Sequence, residues 1–184
     1  MDLICSKYLL DKEERNLIYR ATHSENEIMI VEAMRARREE IMNKVLYIDL
    51  INVSTTLNSL FYSVAIMSND NVIRDFNGEP STNREMLNLI IRAVQLLKPM
   101  DVVFVIDKNF KWSKKISLEI SFMSYKVKLE SSADGFLKRV QGIIATSDTN
   151  IIMRNRFIDL PYFTCLMYSG CQLVFFPTLD IITI

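Results

Sequence analysis

Four runs of residues, apolar and β-prone at their centres, decide what this chain can fold into: VLYIDL at 45–50, VVFVID at 102–107, GIIATSD at 142–148 and CQLVFF at 171–176. A strand with one wet face alternates apolar and polar residues, whereas an unbroken apolar run is buried on both faces. Helical spacing fills the stretches between these runs. Leu57, Leu60, Phe61, Val64 and Met67 follow the first, with Ser54-Thr55-Thr56 offering an N-cap. Residues 68–79 (SNDNVIRDFNGE) are polar and turn-rich and read as a loop. Pro80-Ser81-Thr82 then opens a helix carrying Met86, Leu89, Ile90, Ala93, Val94 and Leu97, which stops at Pro99. Residues 108–125 begin basic and become apolar and helical, 127–129 form a short strand, and 133–140 a short helix. A last helix around 161–168 leads through Gly170 to the fourth run. Strands alternating with helices predict an α/β domain with a mainly parallel central sheet, helices on both faces and right-handed crossovers.

Residues 1–43 precede this pattern and read as a charged helical extension, with the α/β domain over 44–184. Ser24 and Glu27 make a capping box. Arg35, Arg37, Arg38, Glu39 and Glu40 form a solvated face, and the apolar positions dock on the rest of the chain or on a protein partner. His23 reads as a surface residue at a helix start. Met29, Met34, Met42, Met86 and Met153 fall at core spacing.

At 184 residues the chain has room for one domain and its arm. Twenty-two basic residues balance twenty-two acidic ones, so nucleic-acid binding requires a local patch rather than a global positive field. Cys5, Cys165 and Cys171 form no CxxC, and His23 is the sole histidine, which excludes a zinc finger or a His-dependent triad. Sparse, odd cysteines fit a reducing compartment. The start MDLICSKYLLDKEER is not a signal peptide, and no stretch of about eighteen apolar residues exists. An intracellular protein, cytoplasmic or nuclear and off the membrane, is expected; the Asn52-Val53-Ser54 sequon is discounted on that ground. A short, Gly-poor, Asn- and Ile-rich chain also suits a viral origin.

The chemistry lies where the strands end, because ligands of open α/β sheets sit outside the carboxyl ends of the strands. Asp49, Asp107 and Asp148 fall at or near three such ends, and Asp134 starts the short helix between the second and third of these strands. Taken singly, an aspartate after a strand is better explained as a helix cap or turn former, and Asp148 before Thr149-Asn150 fits that role. Taken together, four converging carboxylates repel one another unless a cation lies between them. Hard oxygen ligands suit one or two Mg²⁺ or Mn²⁺ ions, which activate water and stabilise the leaving oxygen of a phosphodiester.

The residues carry a resemblance. Ile48-Asp49-Leu50-Ile51-Asn52, followed by a helix and then Gly78-Glu79-Pro80-Ser81, resembles the N-terminal nuclease domain of flap endonucleases and phage 5′ nucleases. Phe104-Val105-Ile106-Asp107 is similar to their second strand with its metal-binding aspartate. Lys128-Leu129-Glu130-Ser131-Ser132-Ala133-Asp134 is similar to the segment where two acids flank an alanine, and Ala145-Thr146-Ser147-Asp148-Thr149-Asn150 to their acid-x-acid turn. The resemblance spans 44–177 and implies the PIN-like fold, shared with PIN and NYN ribonucleases. It implies Asp49, Asp107, Asp134 and Asp148 as metal ligands, with Glu130 able to replace a missing acid if the register slips. Ser132 and Asn150 stand where the family carries acids, and Asp180 is a weak stand-in for its last metal ligand.

Lys108, Lys111, Lys114 and Lys115 surround Trp112 after Asp107. The resemblance implies that Lys114 touches the scissile phosphate; Lys111, Lys115 and a stacking Trp112 would suit single-stranded or flap nucleic acid, and a solvated helix face is the other reading. Two functions follow. One is a Mg²⁺- or Mn²⁺-dependent nuclease acting on RNA or structured DNA. The other is a degenerate member that binds nucleic acid or scaffolds a partner through residues 1–43. A flavodoxin-like nucleotide module ranks last, since no Gly-rich loop follows the first strand.

Overall fold

The computed structural model describes residues 2–76, 80–178 and 180–183. The opening segment folds as α1 (Asp2–Lys7), α2 (Lys12–Ala21), α3 (Glu25–Met34) and α4 (Arg38–Ile41). Asp11 and Ser24 build capping boxes with Glu14 and Glu27, which fixes where α2 and α3 begin. The chain continues through β1 (Val45–Asp49), α5 (Leu50–Tyr62), β2 (Ala65–Met67), β3 (Ile73–Asp75), α6 (Arg84–Leu97) and β4 (Asp101–Asp107). It then forms α7 (Ser113–Phe122), β5 (Lys126–Glu130), α8 (Ala133–Leu137), β6 (Ile143–Ala145) and α9 (Thr149–Ile152). Last come β7 (Phe157–Ile158), α10 (Leu160–Cys165), β8 (Gln172–Phe175) and β9 (Asp180–Thr183).

Five strands make an all-parallel sheet in the order β5-β4-β1-β6-β7. Numbered along the chain within this sheet, the order is the doubly wound 3-2-1-4-5, which reverses between β1 and β6. Both faces are covered. Leu46, Ile48, Phe104, Ile106, Ile143 and Ala145 pack with apolar residues of α5, α6, α7 and α10. Their alternates Val103, Val105 and Ile144 pack with Ala133, Leu137 and Ile151 of α8 and α9 on the other face. This two-sided burial is why the strands read as unbroken apolar runs. Gly142 is required before β6, because a Cβ there would lie 2.7 Å from the Val45 carbonyl oxygen and 2.8 Å from the Tyr47 ring.

The expected α/β architecture is therefore present, with differences in detail. The fourth run does not join the parallel sheet. β8 lies in a second sheet, ordered β3-β2-β8-β9, where it pairs parallel with β2 and antiparallel with β9. Nor is β8 buried on both faces, since within it Gln172 is exposed and only Leu173 is fully buried; an apolar run specifies neither the partner strand nor complete burial. The 68–79 stretch contains β3 as well as a turn, and Asn77, Gly78 and Glu79 fall outside the described residues. The helix placed at Pro80 starts instead at Arg84, where the Asn83 side chain accepts from the Met86 amide at 2.9 Å. Ser54-Thr55-Thr56 lie inside α5 rather than capping it. Thr55 and Thr56 donate back to the Ile51 and Asn52 carbonyls at 2.7 and 3.0 Å, a bond compatible with an unbroken helix. β6 ends at Ala145, so Asp148 begins a helix and does not close a strand.

Candidate functional site

The switch in strand order leaves a crevice beyond the carboxyl ends of β1 and β6, the place where open α/β sheets bind ligands. A cleft of about 570 Å³ occupies it. Asp49, Asp107, Asp134 and Asp148 all line this cleft. Asp49 ends β1 and Asp107 ends β4, while Asp134 opens α8 and Asp148 caps α9.

Asp49 is 6% exposed. Although it sits at the N-terminus of the 13-residue α5, its side chain does not cap that helix. Its Oδ2 instead accepts from Thr146 Oγ1 at 3.0 Å, across the gap between β1 and β6. Burial, together with the charges of Asp134 and Asp148, pushes the Asp49 carboxyl up to about 7, against the Thr146 bond. Asp134 is raised as well, by burial first and then by Asp148. Asp107 Oδ1 accepts from the Asn109 amide at 2.8 Å, and Asp148 Oδ1 from the Asn150 amide at 2.7 Å, so both also serve as local turn formers.

Asn52, one turn into α5, holds the turn after β6 in place. Its Oδ1 accepts from the Ser147 amide at 2.7 Å and from Ser147 Oγ at 3.0 Å. Arg74 of β3 holds the same turn from the other side, with Nε donating to the Ser147 carbonyl at 3.2 Å and Nη2 to Thr149 Oγ1 at 3.1 Å. Arg74 is buried and forks onto Asp70 through two bonds of 2.7 Å, with Ser68 as a further partner. Burial works to raise the Asp70 carboxyl, but the Arg74 guanidinium holds it below the usual carboxylate range.

The second wall comes from α2, α3 and β3, which bring Tyr19, Arg20, His23, Glu27, Arg74 and Asp75 to the cleft. His23 is therefore not a surface residue. It is buried, with Nε2 3.5 Å from Asp70 Oδ2, and its main chain exchanges two 2.8 Å bonds with the Asn69 side chain. Burial and then Arg74 hold its imidazole below the ordinary value. Nothing in the sequence around Arg20, Arg74 or Asp75 singles them out, because their convergence depends on a hairpin between two short strands.

Other expected site residues stand apart. Lys111 and Trp112 line a shallower hollow beside the cleft, with Asp107 common to both. Trp112 is 45% exposed. Lys114 and Lys115 line neither, since only the 108–112 loop reaches the site and both lysines lie within α7 beyond it. Glu130 is also outside the cleft, because β5 is the sheet edge and stands two strands from β1. Ser132 caps α8, its Oγ accepting from the Gly135 amide at 3.0 Å. Asp180 begins β9 in the second sheet.

Among the described residues, no three His, Cys, Asp or Glu side chains converge closely enough to enclose an ion by themselves. Mg²⁺ keeps much of its water and commonly takes one or two protein carboxylates. Acids from four segments, two of them with carboxyls raised above the usual range by burial and by one another's charge, form a donor set that fits an ion bound in that manner. No helix among the described residues is long and apolar enough to cross a membrane.

Residues 38–162 match the model of a family described as "Domain of unknown function (DUF5616)". The chain is similar to an uncharacterized protein of Methanocaldococcus jannaschii, 29% identical over 164 residues that cover 83% of this chain and 78% of that protein. No solved structure matches.

Proposed function

We propose that this chain, which belongs to the family of the domain of unknown function DUF5616, has a PIN-like fold and is a metal-dependent nuclease that hydrolyses phosphodiesters of RNA or structured DNA. One observation carries the reading: aspartates from four separate chain segments line a single cleft at the switch point of a parallel sheet. The α/β architecture supports the PIN-like part of the proposal, and so does the order in which the four acids follow one another.

Asp49, with Asp107, Asp134 and Asp148 around it, would hold Mg²⁺ or Mn²⁺. A bound ion would supply charge neutralisation at the scissile phosphate and lower the pKa of water. The chain's own residues do the rest. Thr146 donates to Asp49 Oδ2 and so fixes the carboxylate plane. Asn52 and Arg74 hold the turn carrying Asp148 from opposite sides. A carboxyl at about 7 gives Asp49 a proton to release as a cation arrives. Lys111 and Trp112, beside Asp107, would take a phosphate and a base of the strand leaving the site.

A second reading has its own support. Ser132 and Asn150 stand where two further acids would complete the set, and Ser132 is engaged as a helix cap. On this reading the chain binds nucleic acid, or scaffolds a partner through its first 43 residues, without cutting.

Calorimetry of Mn²⁺ binding to the wild type and to Asp107→Asn, run beside a panel of labelled RNA and flap DNA, separates the two. The nuclease reading expects metal uptake that weakens in Asp107→Asn, with cleavage abolished in Asp49→Asn while the fold persists. Full-rate cleavage by Asp49→Asn would remove the assigned site. No metal uptake and no cleavage by the wild type would leave the second reading.

A further inference from the structure

Two arginine–aspartate pairs meet at the β2–β3 hairpin, one of them reaching it from α2, and they are built differently. Arg74 meets Asp70 with a full fork, Nη1 to Oδ1 and Nη2 to Oδ2 at 2.7 Å each. Its Nε and the remaining Nη hydrogens are taken by Ser147, Ser68 and Thr149. Arg20, in the last turn of α2, meets Asp75 through Nη1 alone, donating to Oδ1 at 2.8 Å and to the Asp75 carbonyl at 3.3 Å. No acceptor for its Nε or Nη2 stands among the described residues, and its side chain is 35% exposed. Asp75 is 4% exposed, and its Oδ2 has no hydrogen-bond partner among the described residues.

A guanidinium that only braced two elements would present its fork to the carboxylate, as Arg74 does, because the two-bond geometry is the stronger one. Arg20 is instead held at one corner, and the Nε–Nη2 edge remains open. That edge has the spacing of two phosphate oxygens. Arg20 and Asp75 both line the cleft that holds Asp49 and Asp148. A phosphate entering there meets a surplus of carboxylates. Arg74 is fully engaged and His23 is held toward its neutral form, so Arg20 is the cation with open donors among the described cleft residues.

We propose that Arg20 binds, through its Nε–Nη2 edge, a backbone phosphate of the nucleic-acid strand lying in the cleft, and that Asp75 is the positioning residue that aims it. The inference rests on the nucleic-acid reading given above and deepens it. It makes α2, which precedes the family-matched residues 38–162, one wall of the substrate site.

The test is fluorescence anisotropy of short labelled single-stranded RNA and DNA on the full chain, across a salt series. Ca²⁺, a hard cation of the same ligand preference, would be present. Arg20→Gln should bind about tenfold more weakly, the expected size for a lost charge-assisted fork. Its slope of log affinity against log salt should be shallower by about 0.7, one single-strand phosphate contact. Arg20→Lys keeps the charge and the reach to Asp75 but not the fork; it should bind between the two, with the wild-type slope and melting temperature. Wild-type affinity and slope in both variants would overturn the role of Arg20 and leave the nuclease reading standing. A wild type that binds neither strand would overturn that reading and this inference with it.

Discussion

Asp49 concentrates the chemistry of the site in one side chain. Its carboxyl is raised to about 7, above its ordinary 3.8, chiefly by burial and then by Asp134 and Asp148. The folded state therefore favours the protonated form. The corresponding stability is complete below the unfolded value and is lost as pH rises through about 7. Asp49→Asn mimics the protonated acid. Its melting temperature should match the wild type below about pH 4, pull ahead as pH rises toward about 7, and exceed it by roughly 10 °C near about pH 8. A difference that does not change with pH, followed by calorimetry, would refute the shift. The aspartates were legible at this scale because strand ends could be read from apolar runs. Arg20, Asp75 and Asn52 were not, since one arginine or asparagine within a helix pattern looks like any solvated residue.

At the scale of elements, the second sheet shares the main core through Ala65, Met67, Ile73 and Leu173, and one buried carboxylate ties it further to the start of α10. Asp159 is 3% exposed and does two jobs. Its Oδ1 caps α10 through the Tyr162 amide at 2.9 Å, and its Oδ2 accepts from the Ile73 amide of β3 at 2.8 Å. Burial raises its carboxyl, and the two amides oppose that rise. Asp159→Ala removes a cap and leaves a buried strand amide unpaired. A loss of about 2 to 3 kcal/mol is expected, measured as a lower urea midpoint at unchanged m-value. A loss below about 0.5 kcal/mol would mean that water replaces both bonds. Of the long elements, β1 and β4 were visible in the sequence as unbroken apolar runs, and α5 and α6 because their apolar positions repeat at helical spacing. β2, β3 and β7 have three, three and two residues, too few to display an alternation. Where a short strand pairs is settled by the neighbour that offers a free edge.

Across the whole molecule, the buried Arg74–Asp70 pair joins the helical arm, the second sheet and the turn that carries Asp148. Asp70 faces His23 between α2 and α3, and Arg74 reaches Ser147 and Thr149. Removing one partner of a buried pair leaves an uncompensated charge. Arg74→Met should therefore cost about 3 to 5 kcal/mol. The double variant Arg74→Met with Asp70→Asn should recover part of the loss, because the stranded charge is gone. With Asp70→Asn alone completing the cycle, a loss in the double variant equal to the sum of the two single losses in denaturant titrations would show that the pair is not coupled.

The sequence by itself determined the α/β class, the buried strands of the parallel sheet's centre, the N-cap of α3 and the four aspartates of the cleft. Each of these is a local matter of period, capping chemistry or position at the end of an apolar run. The tertiary structure decided that β8 leaves the parallel sheet and that His23 is buried. It also decided that α2 and β3 bring Arg20 and Asp75 opposite the acids. Those outcomes depend on contacts between residues far apart in the chain, such as His23 with Asn69 and Arg74 with Ser147. No local pattern encodes such a contact, because its free energy exists only once both segments have been placed.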